Sequence, residues 1–174
     1  NHAKVELYLA EVEGRLVGRI AAIVNDNHNN FYKDKVGFFG FFECINDTRV
    51  SRALFDKAYE FLKSHGMDTM RGPVNPSTND ECGLLVDSFD SPPVMLMTYN
   101  PEYYIKLFED YGLAKAKDLL ALYIPKEVIN NTKKMEQLER ISNMVMKREN
   151  IKIRNVDLKD FDNEVQRVRE VYNN

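Results

Sequence analysis

Residues 35–68, KVGFFGFFECINDTRVSRALFDKAYEFLKSHGMD, decide the fold. The first ten are aromatic and apolar, and they read as a strand punctuated by Gly37 and Gly40. Glycines inside a strand mark a bulge, a close approach by another group, or room for neighbouring side chains; here those neighbours are phenylalanines. Asn46, Asp47 and Thr48 then offer helix caps. Val50, Ala53, Leu54, Ala58, Phe61 and Leu62 follow on one helical face, up to a stop at Gly66. A buried strand running straight into an amphipathic helix is the unit from which mixed α/β sheets are built.

Upstream, residues 5–12 (VELYLAEV) alternate apolar and polar as a half-buried strand does. Glu13-Gly14 supplies the turn, and residues 16–24 (LVGRIAAIV) return as an interior strand, apolar on both faces apart from Arg19. Residues 25–30 (NDNHNN) read as a polar loop. Downstream, residues 67–72 form a short candidate strand, and residues 73–93 form an irregular stretch of a length that compact domains reserve for function. Asn100-Pro101 opens a second helix with Tyr103, Tyr104, Leu107, Phe108 and Tyr111 as its apolar face, and Gly112 ends it. Residues 115–124 read as a strand and residues 126–148 as a polar connector helix. From Ile151 the pattern begins again, with a strand over 151–156 and a helix capped by Asp157. The domain expectation is therefore 1–124, a linker helix over 125–150, and the opening of a second unit over 151–174. The first residue is Asn1 rather than Met, which suggests a piece of something longer.

Composition bounds the function. The chain has 174 residues with 44% hydrophobic content, enough for a packed core. Twenty-four basic against 27 acidic residues leave no polybasic tract for nucleic acid. Apolar runs such as 20–24 are far too short to cross a membrane. Two cysteines, Cys44 and Cys82, make no disulfide framework and fit a reducing, cytoplasmic setting. The three histidines show no metal-ligand spacing, and neither a P-loop nor G-x-G-x-x-G occurs. Neither cysteine has a spacing to histidine that suggests a thiol nucleophile, and the methionines of the connector helix read as packing residues.

The order of these elements, with their residues, resembles the GNAT superfamily of N-acetyltransferases. EGRLVGRIAAIV resembles its hairpin carrying G-x-x-V-G, and KVGFFGFFEC with VSRALFDKAYEFLKSHGMD resembles its central strand and cofactor helix. NPEYYIKLFEDYGLAKAKD resembles its late helix-glycine-strand segment. The likeness covers residues 5–124 but lacks the superfamily's first strand and first two helices; residues 151–172 resemble that missing opening, starting a second copy. MRGPVNPSTNDECGLLVDSFDSPP is similar to a segment of bacterial proteins with two GNAT-like units in tandem. The fold class implied is a mixed α/β sheet with helices on both faces.

The resemblance implies transfer of an acyl group from acetyl-CoA or another acyl-CoA to a small-molecule or peptide amine. Main-chain groups of Phe42 and Cys44 would take the pantetheine amides, and Arg49, Val50 and Ser51, opening the helix, would cradle the diphosphate. Asp47 departs from the pattern, placing a negative charge where phosphate oxygens would lie; its ordinary reading is a helix N-cap. Glu43 is the candidate base. Strand alternation puts it on a face with Phe39 and Phe41, an apolar setting. The late-helix tyrosine that acts as general acid in the superfamily falls at Phe108, with Tyr104 one turn earlier and Tyr111 three residues later. In the long loop, Asn75, Ser77, Asn79, Asp80 and Glu81 could line an acceptor cleft, with Asp80 and Glu81 drawing a cation. Three functions stay open at this point: an N-acyltransferase using Glu43; a half that has lost its cofactor and binds the acceptor or serves as scaffold, with any catalysis in the unit beginning near Ile151; and a non-enzymatic peptide or amine binder.

Overall fold

A computed structural model describes residues 2–173. The chain divides into two compact units, one ending at Leu119 and the other beginning at Leu120.

The first unit is built on a four-stranded sheet of β1 (Ala3–Val12), β2 (Arg15–Asn25), β3 (Val36–Cys44) and β4 (Thr69–Arg71), in that order. The first three are antiparallel; β4 runs parallel to β3. A parallel neighbour needs a crossover, and helix α2 (Thr48–Ser64) is that crossover. Its stripe of Val50, Leu54, Phe55, Ala58 and Leu62 is buried with Ile20, Ala22, Val24, Phe39 and Phe42 of the sheet, and with Tyr104, Leu107 and Phe108 of helix α3 (Tyr103–Tyr111). Phe55 is the centre of this layer, in ring contact with Phe39, Phe42, Phe108 and Tyr111. Both helices end the same way. Gly66 at φ 80° and Gly112 at φ 100° take the left-handed conformation, and the next amides, of Met67 and Leu113, return to the carbonyls of Leu62 and Phe108.

The opposite sheet face carries Ala21, Ile23, Val36 and Phe38, with Val74 packed on them. A helix also lies on this face. Residues 26–32, expected to be loop, form α1 (Asp26–Tyr32), whose His28 ring meets Phe38 edge-on at 4.9 Å. The Asn25 carboxamide accepts from the amides of Asn27 and His28, so the asparagines that suggested a loop start the helix instead. The first unit is thus a mixed α/β sheet with helices on both faces, compatible with a partial GNAT-like fold.

The remaining elements depart from expectation in three places. The long loop contains a two-stranded ribbon, β5 (Val74–Asn75) with β6 (Glu81–Cys82). Residues 115–124 form no strand: Leu119, Leu120, Leu122 and Tyr123 are exposed, and no described backbone gives them a ladder partner. Residues 151–156, expected to be the first strand of a second GNAT-like copy, are likewise irregular and exposed. The second unit, considered by itself, is helical. It contains α4 (Lys126–Ile129), α5 (Thr132–Arg148) and α6 (Phe161–Asn173), the last preceded by a single turn over Leu158–Asp160. The expected connector helix is broken because Asn131 caps α5 by accepting from the Lys134 amide. Glu164 of α6 is buried and pairs with Arg154, at 2.7 Å, and with Arg167. Among the described residues, no helix is long and apolar enough to cross a membrane.

Candidate acceptor cleft

The site arises where β3 loses its neighbour. β3 and β4 pair only from Val36 to Phe38 and from Thr69 to Arg71. Beyond this, Gly72-Pro73 carries the chain away and β5 is laid directly over Gly40. A Cβ on Gly40 would stand 1.9 Å from the Val74 carbonyl oxygen, so only glycine permits the approach. The Asn75 carboxamide completes the junction, its Oδ1 accepting from the Phe41 amide at 2.6 Å.

At this point β3 also bulges. Arg19 pairs with Glu43 and Ala21 with Gly40, so Phe41 and Phe42 together oppose Ile20, and Phe41 takes φ 49°. The extra residue shifts the alternation. Phe39 and Phe42 both enter the core, whereas Phe41 turns outward. The expectation that Glu43 shares an apolar face with Phe39 and Phe41 is therefore corrected. Its side chain is 61% exposed, and Arg19 Nη2 stands 3.8 Å from Oε1.

Helix α3 seals the end of the separated strand. Tyr103 donates its hydroxyl to the Cys44 carbonyl at 2.8 Å. The Tyr104 hydroxyl accepts from the Cys44 amide at 3.0 Å and donates to Glu43 Oε2 at 2.8 Å. Burial is the main reason both tyrosines hold their protons more tightly than usual; for Tyr104 the adjacent Glu43 adds to it. Burial also pushes the Cys44 thiol up to about 11, with the Asp47 charge second, so it stays protonated and inert at neutral pH.

Between β3, the ribbon and α3 lies a cleft of about 140 Å³, with Arg19, Glu43, Asn75, Glu81, Asn100 and Tyr104 among its polar walls. Phe41, Leu84, Tyr99 and Phe108 line it as well. Asn100, 7% exposed, anchors the loop by accepting from the Leu85 amide and donating to the carbonyls of Leu85 and Pro101. Two carboxylates against one guanidinium favour a cationic guest.

Of the loop residues read as acceptor ligands, Asn75 and Glu81 join Glu43 here. Ser77, Asn79 and Asp80 are not among the cleft's walls. The Ser77 hydroxyl donates to Asp80 Oδ2 at 2.7 Å and accepts from the Asn79 amide, forming a closed turn. Arg19, Tyr99 and Asn100 were not read as site residues from the sequence, and Tyr104 was weighed there only as a stand-in for the acid expected at Phe108. Tyr104 gave the only usable signal, its place one turn before Phe108.

The start of α2 shows a different arrangement. Asp47 Oδ1 accepts from the Arg49 amide at 2.9 Å, and the same carboxylate holds the Arg49 guanidinium at 2.6 Å. The amides of Val50 and Ser51 both go to the Asp47 carbonyl, and the Ser51 hydroxyl donates to the Thr48 carbonyl. Placed this way, Arg49, Val50 and Ser51 offer a diphosphate no free amide and no unpaired cation. They do not fit that group. The main chain of Cys44 is likewise satisfied by Tyr103 and Tyr104, and the Phe42 ring lies stacked on Phe55.

The Asp47 carboxyl lies at about 2, well below its ordinary range, chiefly because the Arg49 side chain hydrogen-bonds its charged form. An unfolded aspartate titrates near ~3.9. The cap's contribution is therefore complete above about pH 4 and disappears as pH falls toward about 2. Asp47→Ala is expected to lower the thermal midpoint at neutral pH. The gap from wild type should narrow over that acid window, which melts at stepped pH measure.

What the fold and site define is a mixed α/β unit with an acidic, mainly polar cleft at a strand separation. Two curated relatives align along nearly the whole chain. Protein YghO of Escherichia coli (strain K12) is 32% identical over 173 residues, covering 99% of this chain and 43% of that protein. Bacterial ceramide synthase of Caulobacter vibrioides (strain NA1000 / CB15N) is 34% identical over 177 residues, covering 99% of this chain and 44% of that protein. The chain thus spans less than half the length of either relative. No family model and no solved structure matches it.

Proposed function

We propose that this chain is part of a GNAT-like N-acyltransferase in which the first unit binds the amine acceptor, with Glu43 drawing in the ammonium and taking its proton. The observation that carries this reading is the meeting of Glu43 and Glu81 in one cleft, beside Asn75 and Asn100 and an apolar wall. Such a cleft suits an ammonium head joined to an apolar body. The named relative, a ceramide synthase, supports the same reaction class, because a ceramide is the amide of a long-chain amino alcohol. The balance is simple. The ammonium gives one proton to the Glu43 carboxylate, and the freed nitrogen pair forms a C–N bond with the acyl carbon as the C–S bond of acyl-CoA breaks. The thiolate leaves with that bond's electron pair and takes up the second proton the nitrogen loses, departing as the CoA thiol. The acyl donor, acyl-CoA in this reading, is held by parts of the whole protein other than the start of α2.

A second reading is favoured by the Asp47 cap itself: this unit only binds the acceptor, and all chemistry belongs to the rest of the protein. The two separate in kinetics, since a pure binding role for Glu43 would change KM and leave kcat alone.

The test is to incubate the full-length protein with acyl-CoA and a long-chain 2-amino alcohol and follow the product by mass spectrometry. The expected result is the N-acyl amide. Absence of amide with long-chain and short-chain amines alike overturns the proposal.

A further inference from the structure

We infer that Tyr104 is the positioning residue for Glu43, fixing which carboxylate oxygen faces the acceptor; the inference rests on the reading of Glu43 as the group that receives the ammonium. The Tyr104 ring has no freedom to wander. It is 4% exposed and meets Phe42 edge-on, with centroids 5.2 Å apart. Its hydroxyl has one proton and two lone pairs. The Cys44 amide donates to one pair, so the proton is directed along the remaining bond, to Glu43 Oε2 at 2.8 Å. That oxygen is thereby committed, and Oε1 is the one left toward Arg19 and the cleft. Without this bond, an exposed glutamate on a strand end has several rotamers of similar energy.

The neighbouring residue supplies the control. Tyr103 and Tyr104 grip the same residue from its two backbone groups, one at the Cys44 carbonyl and the other at its amide. Only Tyr104 also reaches Glu43. A role confined to holding the strand end would make the two tyrosines equivalent.

In the full-length protein, Tyr104→Phe is expected to lower kcat for amide formation at least about tenfold, with KM for the amine held within about twofold. Tyr103→Phe should leave kcat within about twofold. In a Glu43→Gln background, Tyr104→Phe should add no further loss, because its effect passes through that carboxylate. Equal losses in the two tyrosine variants, an unchanged kcat in Tyr104→Phe, or an additional loss in the double variant each overturn the assignment. If Glu43→Gln is silent on its own, it is the reading of Glu43 that fails. Should Tyr104→Phe not fold, Tyr104→Leu, which fills the site without a donor, takes its place; a kcat lowered at least about tenfold with KM held supports positioning through the hydroxyl, and a kcat within about twofold of wild type overturns it.

Discussion

Glu43→Gln in the full-length protein is expected to lower kcat for amide formation by about 10²–10⁴-fold, the range over which a positioned proton acceptor contributes. Glutamine keeps the size of the side chain and can still accept from the Tyr104 hydroxyl, so the cleft is retained. What it loses is the negative charge and the site that takes the proton. At neutral pH an amine acceptor arrives as its ammonium, and it cannot attack until that proton leaves. Glu81 remains in the cleft as the second carboxylate, so the acceptor is still drawn in and KM is expected to rise only a few-fold. Steady-state kinetics on the purified variant check this. A normal kcat with a raised KM moves the chemistry elsewhere in the protein, and a wild-type kcat and KM remove Glu43 from the site altogether.

Gly40→Ala is the substitution expected to damage the fold most. The added methyl would lie 1.9 Å from the Val74 carbonyl oxygen and 2.7 Å from Asn75 Oδ1. Neither can yield cheaply. Val74 is paired with Cys82 in the ribbon, and Asn75 holds the Phe41 amide. Because the obstacle is backbone, the strain falls on the junction that forms the cleft. The expected cost is about 3 kcal/mol, at the upper end of the usual range for overpacking. Gly37 provides the comparison. An alanine there meets the buried Leu62 side chain, with its Cδ2 at 2.4 Å, an obstacle of side-chain rather than backbone atoms. Denaturant unfolding should therefore rank Gly40→Ala clearly below Gly37→Ala, and equal losses would contradict the placement of β5 over β3.

The segments legible in the sequence were those whose structure is decided locally. The hairpin of β1 and β2 followed from alternation around Glu13-Gly14, and α2 followed from its stripe between Asp47 and Gly66. Pairing across the sheet was less legible. Residues 115–124 have a strand's composition, but a strand exists only where a ladder partner does. The phase change at the Phe41 bulge was hidden because phenylalanines come in pairs here, Phe38-Phe39 and Phe41-Phe42, so a one-residue slip still puts a phenylalanine inward while turning Glu43 out of the apolar face. Tyr104 was visible as part of an apolar stripe and as the tyrosine one turn before Phe108. Its hydroxyl matters because α3 folds back against a strand end sixty residues earlier. Asp47 was different, since a cap is a local device that can be read from the sequence directly around it.

The claim on which all this rests is that the cleft receives the amine and not the acyl donor. Calorimetry on the full-length protein tests it, titrating a long-chain 2-amino alcohol and, separately, acyl-CoA into wild type, Glu43→Gln and Asp47→Ala. The account predicts that Glu43→Gln weakens binding of the amine and leaves binding of acyl-CoA unchanged, with Asp47→Ala altering neither. If Glu43→Gln binds the amine as wild type does, or if either substitution changes affinity for acyl-CoA, the acceptor cleft is wrongly placed.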